Sequence, residues 1–111
     1  MILITGPLFS GKRHYAMELL GCDERELSKR AALDVQDLAP QREDLNALAH
    51  ELAQYEVVTA AEVGGGVVPM NPNERASREA AGRLSILLAQ EAQAVVRVFC
   101  GVPTLLKGQL P

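Results

Sequence analysis

The chain has 111 residues, of which 48% are hydrophobic and 23% are charged, and its formal net charge is −3. This length fits one domain, and the composition is that of an ordinary globular protein. The negative charge and an aromatic content of only 4% argue against binding to nucleic acid or to an anionic membrane surface. No apolar run approaches the roughly 20 residues that span a bilayer, so we expect no membrane span.

The first residues, MILIT, predict a short buried strand that Gly6 and Pro7 end. A helix is expected from residue 11 or 12 to residue 20, with Gly21 as its C-terminal cap. The segment CDERELSKR then predicts a second helix, with Asp23 as a candidate N-cap.

The segment AALDVQDLA fits a strand or a helix equally well, and Pro40 is expected to stop it. An amphipathic helix is predicted in QREDLNALAHELAQ, and YEVVTAA after it predicts a strand that runs into the glycine-rich loop EVGGGVVP. The apolar face of this amphipathic helix comprises Leu45, Leu48, Ala49 and Leu52.

The longest predicted helix lies in NPNERASREAAGRLSILLAQEAQ and is capped by Asn71 or Asn73. A strand, AVVRVFCG, and a short edge strand, VPTLLKG, complete the chain. Because strands alternate with helices, we expect an α/β fold in which a mostly parallel sheet is flanked by helices in three layers. The glycine loops at residues 6–11 and 64–66 both follow strands, so they are expected at the same edge of this sheet, where ligands bind.

Residues 6–13, GPLFSGKR, fit the phosphate-binding pattern G-x-x-x-x-G-K-[ST] at every position except Arg13. Such a loop surrounds an anion with its N–H groups, and the following helix adds its own N-terminal N–H groups and dipole. Lys12 would reach the outer phosphates of a nucleoside triphosphate, ATP or GTP. The alternative is an ordinary strand–turn–helix corner with a surface lysine. The residues expected to hold the nucleotide are Gly6, Pro7, Ser10, Gly11, Lys12, Arg13 and His14.

The arginine at position 13 replaces a hydroxyl that would bind Mg²⁺. Arg13 would instead contact a phosphate or point to solvent. Any Mg²⁺ would then need carboxylates, waters and phosphate oxygens, and Asp34 is the leading candidate if AALDV is a strand that ends beside the loop. The alternative is that Asp34 is an acid on a helix surface.

Glu62 is expected at the carboxyl end of a strand, where it could act as a base, a metal ligand or an acceptor for a substrate hydroxyl. The alternative is a solvated acid in a flexible turn. Glycines 64–66 would allow the backbone to approach a ligand closely. On the longest helix one face carries Arg75 and Arg78, and an ion pair between Arg75 and Glu79 is expected. This face could also be a plain solvated one. The residues expected to contact a substrate are Glu62, Gly64, Gly65, Gly66, Arg75 and Arg78.

The segments TGPLFSGKRHYA, AEVGGGVVP and RASREAAGRLSI resemble the bifunctional adenosylcobinamide kinase and adenosylcobinamide-phosphate guanylyltransferase family of cobalamin synthesis. That family carries G-x-x-x-S-G-K-S-R-[YH]-A, N-E-V-G-x-G-I-V-P and R-x-[FY]-R-D-x-x-G-x-x-N-Q. The resemblance implies a P-loop NTPase-like (RecA-like) domain over residues 1–111 and the catalytic roles of Lys12, Asp34 and Glu62. The chain departs from the family's patterns at several positions, which include Arg13, Ala61, Ser77, Ser85 and Ile86.

The resemblance implies kinase chemistry on adenosylcobinamide, but the family's guanylylated histidine has no match in residues 21–33. His14 and His50 do not stand at its place. Covalent guanylyl transfer is therefore doubtful, and the alternative function is a catalytically degenerate nucleotide- or corrinoid-binding partner or regulator. We expect a cytoplasmic homo-oligomer with Cys22 and Cys100 as reduced thiols.

Overall fold

Five β-strands form one mixed sheet in the computed structural model, which describes residues 1–62 and 71–111. The strands are β1 Ile2–Gly6, β2 Ala31–Ala32, β3 Val57–Ala61, β4 Ala94–Phe99 and β5 Val102–Gly108. Their order across the sheet is β2-β3-β1-β4-β5. Strands β2, β3, β1 and β4 run parallel, and β5 pairs antiparallel with β4 at the edge.

Helices cover both faces of the sheet, which confirms the predicted three-layer α/β architecture. The helices are α1 Lys12–Leu20, α2 Glu24–Arg30, the 3₁₀ helix Val35–Gln41, α3 Leu45–Leu52 and α4 Pro72–Glu91. Helices α1 and α2 cover the face that carries Ile4, Val57 and Val96. The 3₁₀ helix, α3 and α4 cover the other face, which carries Val58 and Val95.

The helix boundaries follow the capping residues of the sequence. The side chains of Asp23, Asp44 and Asn71 each accept a hydrogen bond from a backbone N–H in the first turn of α2, α3 and α4. Gly21 ends α1 in the left-handed conformation, as predicted. The ambiguous segment divides between β2 and the 3₁₀ helix, which ends one residue after Pro40.

The hairpin between β4 and β5 turns at Cys100 and Gly101, whose φ angles are 52° and 75°. Two successive positive φ angles are typical of a type I′ turn, which matches the twist of the strands that it joins. Neither the longest helix nor any other helix in the described part of the chain is apolar and long enough to cross a membrane.

Candidate functional site

The loop after β1 is shaped by two glycines. Gly6 has a φ of 151°, and a Cβ atom there would lie 2.2 Å from the carbonyl oxygen of Val98. Gly11 has a φ of 97°, and a Cβ atom there would lie 3.3 Å from the Cα of Gly101. A side chain at Gly6 would therefore collide with β4, while one at Gly11 would be strained by the positive φ and would crowd the hairpin turn.

The β4–β5 turn is hydrogen-bonded to this loop. The N–H of Gly101 donates a hydrogen bond to the carbonyl oxygen of Ser10 at 2.8 Å. This contact joins the loop to a turn near the other end of the chain, and the sequence pattern gives no signal for it.

Lys12 begins α1 and lies at the base of the loop with only 6% of its surface exposed. Its Nζ donates a hydrogen bond to the carbonyl oxygen of Pro7 at 2.6 Å. Burial lowers the pKa of Lys12, while the negative charges of Asp34 and Glu62 oppose this shift. The ammonium is thus a poorly hydrated cation with a single protein acceptor within the described residues, which suits it to receive a phosphate oxygen.

Ser10 has a buried hydroxyl, and its Oγ has no hydrogen-bond partner within residues 1–62 and 71–111. A buried hydroxyl without a partner is costly, and such groups in proteins are usually satisfied. The Oγ lies close to the backbone of Gly6, inside the loop. A phosphate oxygen seated in this loop would supply the missing acceptor, so the residues present fit a nucleotide phosphate.

A cavity of about 560 Å³ opens in front of the loop, which is within the usual range for a small-molecule site. It lies between α1 and the segment that joins β2 to the 3₁₀ helix. Its lining combines cationic, acidic and apolar side chains, and includes Leu8, Phe9, Ser10, Gly11, Lys12, Arg13, His14, Met17, Asp34, Asp37 and Thr59.

Arg13 and His14 lie on the exposed side of α1 at this cavity. Arg13 Nε lies 3.8 Å from a carboxylate oxygen of Glu24 at the start of α2. His14 Nε2 lies 2.9 Å from a carboxylate oxygen of Glu18, one helical turn further along α1. His50 is distant from them: it pairs with Glu91 where α3 and α4 end, and both helices end at the edge of the sheet opposite to the loop.

Asp34 lies beside the cavity, two residues after β2. It adopts a left-handed φ of 54°, and its N–H donates a hydrogen bond to the hydroxyl of Thr59 at 2.9 Å. No group of three His, Cys, Asp or Glu residues in the described ranges is arranged to hold a metal ion. Mg²⁺ commonly takes only one or two protein carboxylates besides phosphate oxygens, so Asp34 fits such a role and stays a prediction.

Glu62 follows β3 and is held by an arginine that the sequence reasoning missed. Its carboxylate accepts two hydrogen bonds from Arg97 on β4, from Nε at 2.5 Å and from Nη2 at 3.0 Å. The hydrogen bond with Arg97 lowers the pKa of Glu62, and the charges of Arg97 and Lys12 add to this shift. A carboxylate with a lowered pKa is a weak base, so the geometry favours a role for Glu62 as an acceptor or a metal ligand. The sequence does hold a signal for Arg97. Parallel strands are usually buried on both faces and therefore apolar, so a single charged residue within the run AVVRVF is unusual.

The remaining predicted substrate residues are only partly placed. Arg78 lines a second cavity, of about 420 Å³, together with Gln36 and Asp37, which also line the first one. Arg75 is exposed on α4. The predicted ion pair between Arg75 and Glu79 is wrong, because the described residues show no such pair within 4.0 Å. Gly64, Gly65 and Gly66 lie outside the described residues.

The chain matches the model of a known protein family. A family model described as cobinamide kinase / cobinamide phosphate guanyltransferase matches residues 24–106. The matched range begins after the glycine loop of residues 6–13 and includes Asp34, Glu62 and the helix with Arg75 and Arg78. No curated protein matches the chain significantly.

Proposed function

Because the chain belongs to the cobinamide kinase / cobinamide phosphate guanyltransferase family, we propose that residues 1–111 form one nucleotide-binding domain that phosphorylates the side-chain hydroxyl of adenosylcobinamide. The family implies nucleoside triphosphates and cobinamide as substrates, in cobalamin biosynthesis. The observation that carries the proposal is the loop itself: the buried residues Lys12 and Ser10 line a cavity of about 560 Å³, and the Ser10 hydroxyl has no hydrogen-bond partner among the described residues.

In this proposal the loop N–H groups and Lys12 bind the phosphates of ATP or GTP. The hydroxyl oxygen of the acceptor attacks the γ-phosphorus, the bond to the β-phosphate oxygen breaks, and the hydroxyl proton passes to solvent. The carboxylate of Glu62, which Arg97 fixes, accepts a hydrogen bond from the hydroxyl of adenosylcobinamide and so orients this hydroxyl. Asp34 would hold Mg²⁺, which neutralises charge on the phosphates when bound.

Covalent guanylyl transfer is not part of the proposal. A phosphoramidate needs an imidazole nitrogen in line with the α-phosphate. His14 is paired with Glu18 on the exposed side of α1, and His50 lies at the opposite edge of the sheet. We therefore expect neither histidine to take the position that this step requires.

A second candidate function is a catalytically degenerate nucleotide- or corrinoid-binding partner or regulator. The observation that favours it is Arg13, which stands where a Mg²⁺-binding hydroxyl is expected and lies near Glu24. In this case the chain would bind ligands without transferring phosphate.

We further propose that the chain forms a homo-oligomer in the cytoplasm. All seven residues of the edge strand β5 are exposed, and they include Leu105 and Leu106. An exposed edge strand with apolar side chains offers unpaired backbone groups and apolar surface to which another chain can bind. The cytoplasm is favoured by the free thiols of Cys22 and Cys100.

Isothermal titration of the purified chain with ATP, GTP and adenosylcobinamide tests the binding part of the proposal. We expect saturable binding of a triphosphate, and of adenosylcobinamide to the same protein. If neither triphosphate binds, the loop is only a structural corner and the proposal fails.

A further inference from the structure

The ion pair between Arg97 and Glu62 crosses the end of the central strand. Glu62 follows β3, Arg97 belongs to β4, and β1 lies between these two strands. Arg97 pairs in register with Thr5, one residue before β1 ends at Gly6. The two side chains therefore meet over the point where β1 leads into the phosphate-binding loop.

Hydrogen bonds fix both the backbone and the side chain of Glu62. Its N–H donates a hydrogen bond to the carbonyl oxygen of Gly6 at 2.8 Å, and its carboxylate binds Arg97 in a bidentate arrangement. Arg97 is in turn held over the ring of Phe99, with 5.2 Å between the guanidinium carbon and the ring centre. Such planar, doubly bonded pairs fix direction as well as distance.

Arg97 and Lys12, the two cations near the loop, lie on opposite faces of the sheet. Side chains alternate between faces along each strand, and Arg97 shares its face with Val95, on the side that α4 covers. Lys12 begins α1, which packs on the other face through Ala16. Glu62 is nevertheless near enough to influence the pKa of Lys12.

We propose that Arg97 is a positioning residue that holds Glu62 on the α4 face of the sheet edge and so keeps the Lys12 ammonium free for phosphate. This inference rests on the proposed nucleotide site. Without Arg97, Glu62 would turn toward Lys12, the nearby buried cation, pair with it and repel the incoming phosphates. Arg97 acts through Glu62 in this account and does not touch the nucleotide.

A double-mutant cycle separates this role from a direct contact. The four proteins are the wild type, Arg97→Gln, Glu62→Gln and the double variant, titrated with ATP and with GTP in the presence of Mg²⁺. We expect Arg97→Gln to weaken triphosphate binding about tenfold when Glu62 is present, and about twofold or less in the Glu62→Gln background. Arg97→Lys should give an intermediate loss, because lysine cannot form the bidentate pair.

The chain offers a matched control. Arg42 forms a similar bidentate pair with Glu51, at 3.0 and 2.8 Å, and lies away from the phosphate-binding loop. Arg42→Gln should leave triphosphate affinity unchanged. Equal losses for Arg97→Gln in both backgrounds would show that Arg97 contacts the nucleotide directly, and no loss in either would show a simple surface ion pair. Each of these results overturns the inference.

A second readout needs no nucleotide. The pKa of Lys12 can be followed by NMR of its ε-carbon. Relative to the wild type, this pKa should rise in Arg97→Gln and should not rise in the double variant. Asp34, the other acid that raises the pKa of Lys12, is present in all of these proteins. If the wild type binds no triphosphate, the proposed function fails, while this titration still decides the inference: an unchanged pKa in Arg97→Gln contradicts it.

Discussion

At the scale of single residues, Lys12 carries the clearest functional signal. It is buried, and its ammonium binds only a carbonyl oxygen of its own loop within the described residues. A buried ammonium is costly to desolvate, so we expect it to take a partner with more negative charge than a carbonyl group.

Replacing Lys12 with Ala should weaken triphosphate binding about tenfold or more, since a lost charge-assisted contact costs ~1.5–3 kcal/mol. Titration of ATP and GTP measures this loss. Lys29→Ala is the matched control, because Lys29 is exposed on α2 and does not line the cavity. Unchanged affinity of Lys12→Ala would mean that the loop does not bind phosphate.

Arg13 should make Mg²⁺ less important for binding than a hydroxyl at this position would. We expect removal of Mg²⁺ with EDTA to change triphosphate affinity of the wild type by less than about threefold, and Arg13→Ser to acquire a clear metal dependence. Arg25→Ser, at an exposed position of α2, serves as the control. The prediction is wrong if the metal is indispensable to both the wild type and Arg13→Ser.

No covalent guanylyl intermediate should form on either histidine. After incubation with α-labelled GTP and denaturation in alkali, which preserves phosphoramidates, we expect no label on the wild type. His14 pairs with Glu18 on the exposed side of α1 and His50 pairs with Glu91, so we expect neither imidazole to lie in line with the α-phosphate. Label that is retained on the wild type and lost in His14→Ala or His50→Ala would restore the guanylyl transfer reaction.

At the scale of elements, the loop of residues 6–11 depends on β4 and on the β4–β5 turn. Val98 leaves no room for a side chain at Gly6, and Gly101 hydrogen-bonds to Ser10. The loop therefore takes its shape from a hairpin near the other end of the chain.

Gly6→Ala should destabilise the protein by about 2 kcal/mol or more, because its Cβ would lie 2.2 Å from the carbonyl oxygen of Val98. Gly82→Ala is the control, because Gly82 lies in the middle of α4 and a Cβ atom there would meet nothing within 4 Å. The control should stabilise the protein by roughly 0.5–1 kcal/mol. Chemical denaturation measures both changes, and a Gly6→Ala protein as stable as the wild type would contradict the packing described here.

The sequence predicts those features that local patterns determine. Apolar runs, glycines and capping residues such as Asp23 and Asn71 set the elements because they act within a few residues. The pair of Arg97 and Glu62 joins residues 35 positions apart and depends on β1 lying between their strands, which no local pattern reveals. The split of AALDVQDLA into a strand and a 3₁₀ helix was equally unpredictable, because Asp34 adopts a left-handed conformation that its neighbours do not require.

At the scale of the whole molecule, the fold brings three segments to one edge of the sheet. The loop with Lys12, the turn with Asp34 and the end of β3 with Glu62 come from separate parts of the chain, and the charges of Asp34 and Glu62 both act on Lys12. This arrangement follows from parallel strands, whose carboxyl ends lie at a common edge.

Transfer of labelled phosphate tests the central claim most directly. The protein is incubated with γ-labelled ATP or GTP, Mg²⁺ and adenosylcobinamide, and the corrinoid product is separated and counted. We predict labelled adenosylcobinamide phosphate with the wild type, and a rate at least about tenfold lower with Lys12→Ala. Triphosphate binding without any labelled corrinoid would contradict the kinase and favour the degenerate binding protein.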